Sequence, residues 1–351
     1  MKTNSTYFTY TITLITSLIL HSCGTSSHYF SIDYMEPGKL LFPERIASLA
    51  ILDNTQTNDI SYQSDNLNVL KLNTTDIFNG FITNLAETEY YTHLILTDPK
   101  WKKEKSIIEK DQLSKMGGSL QTDADAIIIL EQLNLRDNNH TILYPEPYTT
   151  HRVILNPLFQ IYNIKKNTVS QIVDSDTIDI TDALYFMHNL PKKQQLSTED
   201  YALTVPYILG KSLAKLFAPH WTTEERMLYT DSPTFKVATK HYLNNEFEEA
   251  IQAYMSLANR KDKPVNSIKA AYNAAISYEI IDHLEEASVW ANKALELAQT
   301  HFKRADTELS ITLFDQNEVF YNCLLYTKLI TKRLKDKQLL DQQMKRFAEE
   351  K

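Results

Sequence analysis

Val237-Ala238-Thr239-Lys240-His241-Tyr242-Leu243-Asn244-Asn245-Glu246-Phe247-Glu248-Glu249-Ala250-Ile251-Gln252-Ala253-Tyr254 and Ala274-Ala275-Ile276-Ser277-Tyr278-Glu279-Ile280-Ile281-Asp282-His283-Leu284-Glu285-Glu286-Ala287-Ser288-Val289-Trp290-Ala291-Asn292-Lys293-Ala294 are two copies of one pattern. Ala238 aligns with Ala275, Phe247 with Leu284, and Ala250 with Ala287, each pair 37 positions apart. A fixed period of this size marks a repeat whose units stack on one another. In the first copy, Ala238 and Ala250 let two helices approach closely, and Phe247 and Tyr254 fill the groove beside them. Asn245 and Asp282 stand at the turns, where a residue must tolerate the left-handed conformation.

The pattern resembles the tetratricopeptide repeat, a helix–turn–helix unit of about 34 residues. Asp262-Lys263-Pro264 then marks a short insertion. The copies depart from that family at the turn, where glycine is commonest, and at Leu257, where alanine is usual. The resemblance implies a concave surface for a peptide or partner protein. Tyr242, Tyr254, Tyr272, Tyr278 and Trp290 are the candidate partner-binding residues, with packing between helices as the alternative for each. A stable stack needs roughly three units. Val319, Phe320, Cys323, Leu324, Ile330 and Leu334 fit one face of a further helix, which Leu340, Met344 and Phe347 continue. A plain helical bundle is the alternative architecture.

Upstream of the repeats the apolar pattern changes period. Residues 45–52 read as a strand buried on both faces, and 75–86 as a helix capped by Thr75 with Ile77, Phe81, Ile82 and Leu85 on one side. Residues 91–97 read as a second strand and 111–121 as a second helix. Ala126-Ile127-Ile128-Ile129-Leu130 is a third strand, and 151–163 with 168–180 a hairpin turning at Lys165-Lys166-Asn167. A helix over 201–217 follows, with Pro206 in its first turns, and Pro219 ends it. The polar stretch 53–74 reads as a long loop. This order predicts an α+β or α/β N-terminal domain in two or three layers. It is followed by an all-α, tetratricopeptide-like helical repeat domain. Residues 46–52, the helix 75–86 and Asp123-Ala124-Asp125-Ala126-Ile127-Ile128 resemble the α/β domain of envelope lipoproteins such as the curli-secretion family and the N-terminal domain of the Tol–Pal translocation protein.

The N-terminus carries a different signal. Lys2 precedes an uncharged apolar and hydroxyl-rich run over 7–20, and Leu20-His21-Ser22-Cys23 follows. A positive start, a short apolar core and a small residue before the cut define a secretory leader. The last four residues resemble the lipobox of bacterial lipoproteins, with His21 as a departure. That resemblance implies cleavage before Cys23, a thioether-linked diacylglycerol on it, and an acylated (palmitate) amino terminus. An ordinary signal peptide with a chance cysteine is the alternative. The expected segments are a leader over 1–22, a lipid-anchored tether over 23–40, the α/β domain over 41–220 and the helical domain over 231–351. Gly24 after the cysteine, and the lack of an acid before Asp33, differ from the inner-membrane retention and surface-export signals. The periplasmic leaflet of an outer membrane is the expected location.

Composition bounds the chemistry. The 351-residue chain carries a formal net charge of −8, which argues against a nucleic-acid binder. Of 2 cysteines, Cys323 alone remains once Cys23 is acylated, so no internal disulfide is expected. No phosphate-binding loop, G-x-S-x-G elbow or Cys-x-x-Cys occurs, and the 10 histidines are scattered. No catalytic residue, metal or cofactor is therefore assigned. Solvated loop ends are the expected role of the acidic pairs Asp123/Asp125 and Asp174/Asp176. Asp176-Thr177-Ile178 resembles the O-glycosylation motif of Bacteroides secreted proteins, which makes Thr177 a candidate modification site. The lipobox, the α/β region, the repeats and the junction residues Pro219-His220-Trp221, Glu225-Arg226 and Tyr229 together resemble a family of Bacteroidetes lipoproteins with no implied reaction. The expected function is an envelope interaction or assembly scaffold, membrane-bound through its lipid, not an enzyme, with an envelope protein or peptide as partner. An envelope enzyme or ligand-binding protein acting on a glycan or cell-wall substrate through the α/β domain is the alternative.

Overall fold

The structure, a computed structural model, describes residues 27–42, 46–55, 59–64, 67–103, 107–137, 140–142, 148–150, 152–180, 198–260, 262–304 and 318–348. The chain divides into two compact units, one of residues 37–220 with 340–351 and one of residues up to 36 with 221–339. The mixed α/β region followed by packed helices is the architecture expected. Strand β1 (Ser27–Glu36) belongs to the helical unit, although it falls in the stretch read as tether. Its sequence shows why: Phe30, Ile32 and Tyr34 alternate with the exposed Tyr29, Ser31 and Asp33, a period of two on a half-buried strand.

The strands of the main sheet in the α/β unit are β2 (Ser48–Asp53), β5 (His93–Leu96), β6 (Ala126–Asp137), β9 (Arg152–Asn163), β10 (Thr168–Val173) and β11 (Asp176–Asp179), and β7 (His140–Ile142) pairs with β8 (Tyr148–Thr150) apart from it. The sheet runs β10–β9–β6–β2–β5, with β11 also on β9. β2 lies parallel to both β5 and β6, with Ala50 opposite Ile95 on one side and Ile127 on the other. β6 and β9 are antiparallel, and β9 turns into β10 at Asn167, whose φ of 53° is the left-handed value asparagine tolerates.

Both sheet faces are covered. Leu49, Ile51, Ile128 and Leu130 pack on helices α1 (Thr74–Glu87) and α3 (Thr198–Ala214) through Ile77, Phe81, Leu85, Leu209 and Leu213. Ala50, Leu52, Ile127 and Ile129 pack on α2 (Lys110–Leu120) through Leu113 and Met116. This gives three layers and explains why β2 and β6 read as continuous apolar runs. Residues 340–348, the end of the last helix, also belong to this unit: Gln343 donates to the carbonyls of Gly38 and Leu40 and accepts from Gly38 N–H.

Three local readings change. The stretch 53–74 is not a long loop. It holds the hairpin β3 (Asp59–Ser64) and β4 (Leu67–Asn73), with Ile60 opposite Leu72 and Tyr62 opposite Leu70. Apolar residues alternating with polar ones carried that signal beneath an Asn- and Asp-rich composition. The cap of α1 is Asn73, which accepts from Thr75 N–H at 2.8 Å, rather than Thr75 itself. Helix α3 begins at Thr198, so Pro206 lies in its interior, where the missing N–H leaves one helical bond unmade.

The Pro206 region is also where α3 meets α1. A Cβ built on Gly210 would lie 2.3 Å from the backbone of Gly80 and Phe81, and one on Gly80 would lie 2.7 Å from the Pro206 carbonyl oxygen. The two helices cross backbone to backbone, which glycine alone permits. Gly118 on α2 faces open space. Gly210→Ala is therefore expected to lower unfolding stability by roughly 1–3 kcal/mol, as overpacking does. Gly118→Ala is expected to raise it by about 0.5–1 kcal/mol through helix propensity. Urea denaturation of both variants checks the pair, and equal effects would contradict the crossing.

Candidate functional site

The helical unit is built from two helix pairs and a long final helix. Helix α4 (Lys236–Leu243) pairs with α5 (Phe247–Ala258), α6 (Pro264–Ile280) with α7 (Leu284–Phe302), and α8 (Glu318–Ala348) follows. Asn245 and Asp282 turn the two pairs at φ 61° and 57°. The aligned alanines 238, 250, 275 and 287 are all buried at helix contacts.

The aromatics read as partner contacts sit largely inside. Tyr242, Tyr254, Tyr272 and Trp290 are buried, and Tyr278 is half-buried. The Tyr254 hydroxyl meets Thr239 at 3.2 Å, and Tyr272 stacks edgewise on Tyr229 and against Tyr326. Tyr242 lies between Phe30 and Phe247, and Tyr278 stacks on His283. Burial pushes the Tyr242, Tyr254, Tyr272 and Tyr278 hydroxyls up from their ordinary pKa. Four of these five side chains join helix to helix and cannot reach a partner without opening the unit. The helical periodicity that singled them out marks the packed face, not the free one.

What lies on the inner face of the helices is the chain's own strand. β12 (His220–Tyr229) pairs with β1 into a two-stranded ribbon, and Tyr242 of α4, Glu279 of α6 and Lys332 of α8 each meet it. Along α6 the contacts form a ladder. Arg226 makes a two-pronged bond with Glu279, Nε and Nη2 each 2.9 Å from a carboxylate oxygen. Asn273 accepts from Tyr229 N–H at 3.0 Å and donates to Tyr229 C=O at 2.8 Å, as a neighbouring strand would. Lys269 pairs with Asp231, and Asn266 donates to Ser232 at 3.1 Å. The contacts run over 226–232 of the extended segment and 279–266 of the helix. Six extended steps span roughly 20 Å, and thirteen helical steps span roughly 20 Å, so every rung meets its partner.

Glu279 is the centre of this arrangement. It is fully buried and accepts further bonds from Arg333 and from the Tyr326 hydroxyl at 3.0 Å. Arg226 also meets Glu224 at 2.9 Å, and Arg333 lies over the Tyr34 ring at 4.0 Å. Burial opposes the charge of Glu279, but Arg226 and Arg333 outweigh it and hold its carboxyl below the ordinary value. Burial, with Glu224 beside it, pushes the Tyr34 hydroxyl up to about 12.

The ribbon's other face is open along Tyr29, Ser31 and Asp33 of β1 and along Trp221, Thr223 and Glu225 of β12. Thr223 bonds Asp33 at 2.6 Å and Thr222 bonds Glu36 at 3.2 Å, which places Trp221 at the Glu36 end. Trp221 is 66% exposed there, and Tyr29 at the opposite end 62% exposed. Past the ribbon, Thr230, Asp231, Ser232, Lys236, Thr239, Lys240 and Leu243 line a cavity of about 490 Å³.

The remaining sequence-derived sites are scattered. Cys23 and the leader lie outside the described residues. Thr177 is exposed on the edge strand β11, opposite Ile154. Of the acidic pairs, Asp123 is an exposed loop end that accepts from Thr122, and the other three carboxylates are tied into the structure. Asp125 accepts from Ala47 and Ser48 N–H at 2.9 and 3.0 Å and pairs with Lys165 at 2.8 Å, joining three strands' ends. Partial burial works against its charge, but these donors hold its pKa below the ordinary value. Asp174 pairs with Lys39, and Asp176 accepts from Ser212. Among the described residues no three His, Cys, Asp or Glu side chains gather to hold a metal. Cys323 is buried, which pushes its thiol pKa up.

The sequence reading passed over Glu131. It sits where β6 shifts register between Leu130 and Gln132, a bulge just past the parallel segment. Buried, it accepts from Asn54 Nδ2 at 2.5 Å, Ile108 N–H at 3.1 Å and the Gln160 amide at 2.8 Å. Burial raises its pKa in spite of these donors.

Asn273→Ala is expected to cost roughly 2–4 kcal/mol of unfolding stability, because two backbone groups of Tyr229 lose their partner in a dry interior. Glu279→Gln is expected to cost about 3–5 kcal/mol by taking from the buried Arg226 and Arg333 the carboxylate they share, which leaves Arg226 with Glu224 alone. Since the folded pKa of Glu279 is lowered, its contribution is present above the ordinary glutamate range and is lost as pH falls through the lowered value. Glu279→Gln should therefore flatten part of the acid limb of a stability–pH profile, read by urea unfolding from neutral to acid pH.

Residues 46–229, more than half of the chain, match the family described as Domain of unknown function (DUF8603). Residues 236–332 match a second, described as Domain of unknown function (DUF6340). No curated protein and no solved structure matches the chain. The chain belongs to the DUF8603 family.

Proposed function

We propose that this family member is a lipid-anchored envelope lipoprotein acting as an interaction scaffold, and that it binds a partner protein on the open face of the ribbon that lines its tetratricopeptide-like helices. The observation carrying this reading is Trp221, exposed at 66% on a strand whose inner side is held by Arg226, Leu228 and Tyr229. A large aromatic presented on a rigid support is the residue type that dominates binding energy at interfaces. Acylation at Cys23 would hold the scaffold in the envelope, on the periplasmic leaflet of the outer membrane. The exposed edge position of Thr177 is compatible with O-glycosylation.

A second reading, an enzyme or ligand-binding protein acting on a glycan or cell-wall substrate, draws on Glu131. It lies near the carboxyl ends of parallel strands, where α/β sheets bind ligands. Its three donors are all protein groups that tie β2, β6 and β9 together, and this favours the scaffold.

Cross-linking of the tagged protein in its native envelope, with Trp221→Ala alongside, tests the proposal. Loss of the cross-linked partner with an unchanged melting temperature is expected, with affinity falling by about 30-fold for an anchor worth about 2 kcal/mol. Full retention by Trp221→Ala would overturn the ribbon as the docking face. Retention after deleting 231–351 would overturn the helical scaffold itself.

A further inference from the structure

We propose that helix α4 is a membrane-contacting face: Lys236, Val237, Lys240 and Leu243 rest on anionic phospholipid headgroups and orient the helical unit on the bilayer. This rests on the acylation of Cys23 in the reading above. Four peptide steps separate Cys23 from Ser27, where β1 begins, and span at most about 14 Å. β1 is built into the helical unit from its start. The Phe30 ring lies 5.4 Å from Tyr242, and further along Tyr34 lies under Arg333 and Glu36 pairs with Lys332. The anchored end therefore leads straight into the unit, and α4 is the helix that the first turns of the strand touch.

The exposed side of α4 suits a headgroup layer. Lys236, Val237, Lys240 and Leu243 follow one another at helical spacing, and Val237 and Leu243 are 64% and 57% exposed. The lysines line the cavity with Thr239 and Asn244, hydrogen-bonding groups of the kind a phosphate ester takes. Two carboxylates close to this face are already engaged, Asp231 by Lys269 and Glu246 by His241. Cations flanking apolar side chains are the composition of helices that lie in the interface. The acyl chains hold the protein to the membrane and α4 sets its orientation. Trp221, at the Glu36 end of the ribbon, then sits at the end remote from Phe30 and clear of the lipid.

The test uses the chain from residue 23 onward, unacylated and carrying Cys23→Ser, in co-sedimentation with vesicles of phosphatidylcholine alone or mixed with phosphatidylglycerol. Binding to the anionic vesicles is expected, with loss as salt rises. Lys236→Gln with Lys240→Gln should weaken it by about 30-fold, two lysines at about 1 kcal/mol each. Leu243→Ser should weaken it as well. All three side chains are exposed or line an open cavity, so circular dichroism should show unchanged folding. Equal partition of wild type and variants, or equal binding to neutral vesicles, overturns the membrane face. The intact mass of the protein from its native membrane is read separately. A mass without acyl chains overturns the anchor reading, whereas an acylated protein whose α4 variants partition unchanged overturns the docking face alone.

Discussion

The buried carboxylate of Glu279 is the interaction on which the helical unit depends. Removing a carboxylate and two guanidinium groups from water costs several kcal/mol per ion, and that cost is offset here by completeness of partners. Arg226 reaches it from β12, Arg333 and Tyr326 from α8, and Glu279 itself stands on α6. A hydrophobic replacement could match this in stability. It could not match it in specification, because the guanidinium fork accepts one register of strand against helix. With Arg226 placed, Tyr229 falls opposite Asn273 and Asp231 opposite Lys269, and the ladder follows from one fixed point.

That ladder changes what the helical unit can do. A stack of helix pairs exposes an inner face, and the bare expectation is that a peptide from another protein fills it. Here the chain's own ribbon does so, with the hydrogen-bonding logic that would recognise a foreign strand. The polar residues of α6 are consequently committed to internal structure. Recognition moves one layer outward, to the free side of the ribbon and to the exposed face of α4.

The α/β unit rests on a different constraint, the thinness of the gap between α1 and α3. Gly80 and Gly210 bring two backbones together over the sheet, which lets Phe81, Phe159 and Phe217 cluster beneath them. On the other side Gly117 admits the edge of Tyr162, by the same economy of a missing Cβ. Asp125 closes the amino-terminal end of the parallel strands through backbone N–H groups, and Glu131 closes the opposite end through side-chain amides. A carboxyl group thus carries a lowered pKa at one end and a raised one at the other, according to whether a cation is within reach.

Much of the fold was legible in sequence because it is local. Apolar runs at β2 and β6, helical spacing in α1 and α2, and the repeated alanines at 238, 250, 275 and 287 each declare their structure within a dozen residues. The hairpin at 59–73 and strand β1 carried the same period-two signal, obscured by polar composition and by an expected tether. The candidate site was not legible. Tyr242, Tyr254, Tyr272 and Trp290 look alike in sequence whether they face a partner or a neighbouring helix, since periodicity gives a face and not what covers it. The sequence by itself determined the two classes of architecture and the elements that build them. Tertiary structure alone decided that a strand at 220–229 and another at 27–36 would meet on the helices' inner face. Contacts between residues so far apart are set by three-dimensional complementarity of buried charge and backbone hydrogen bonds, for which no local pattern exists.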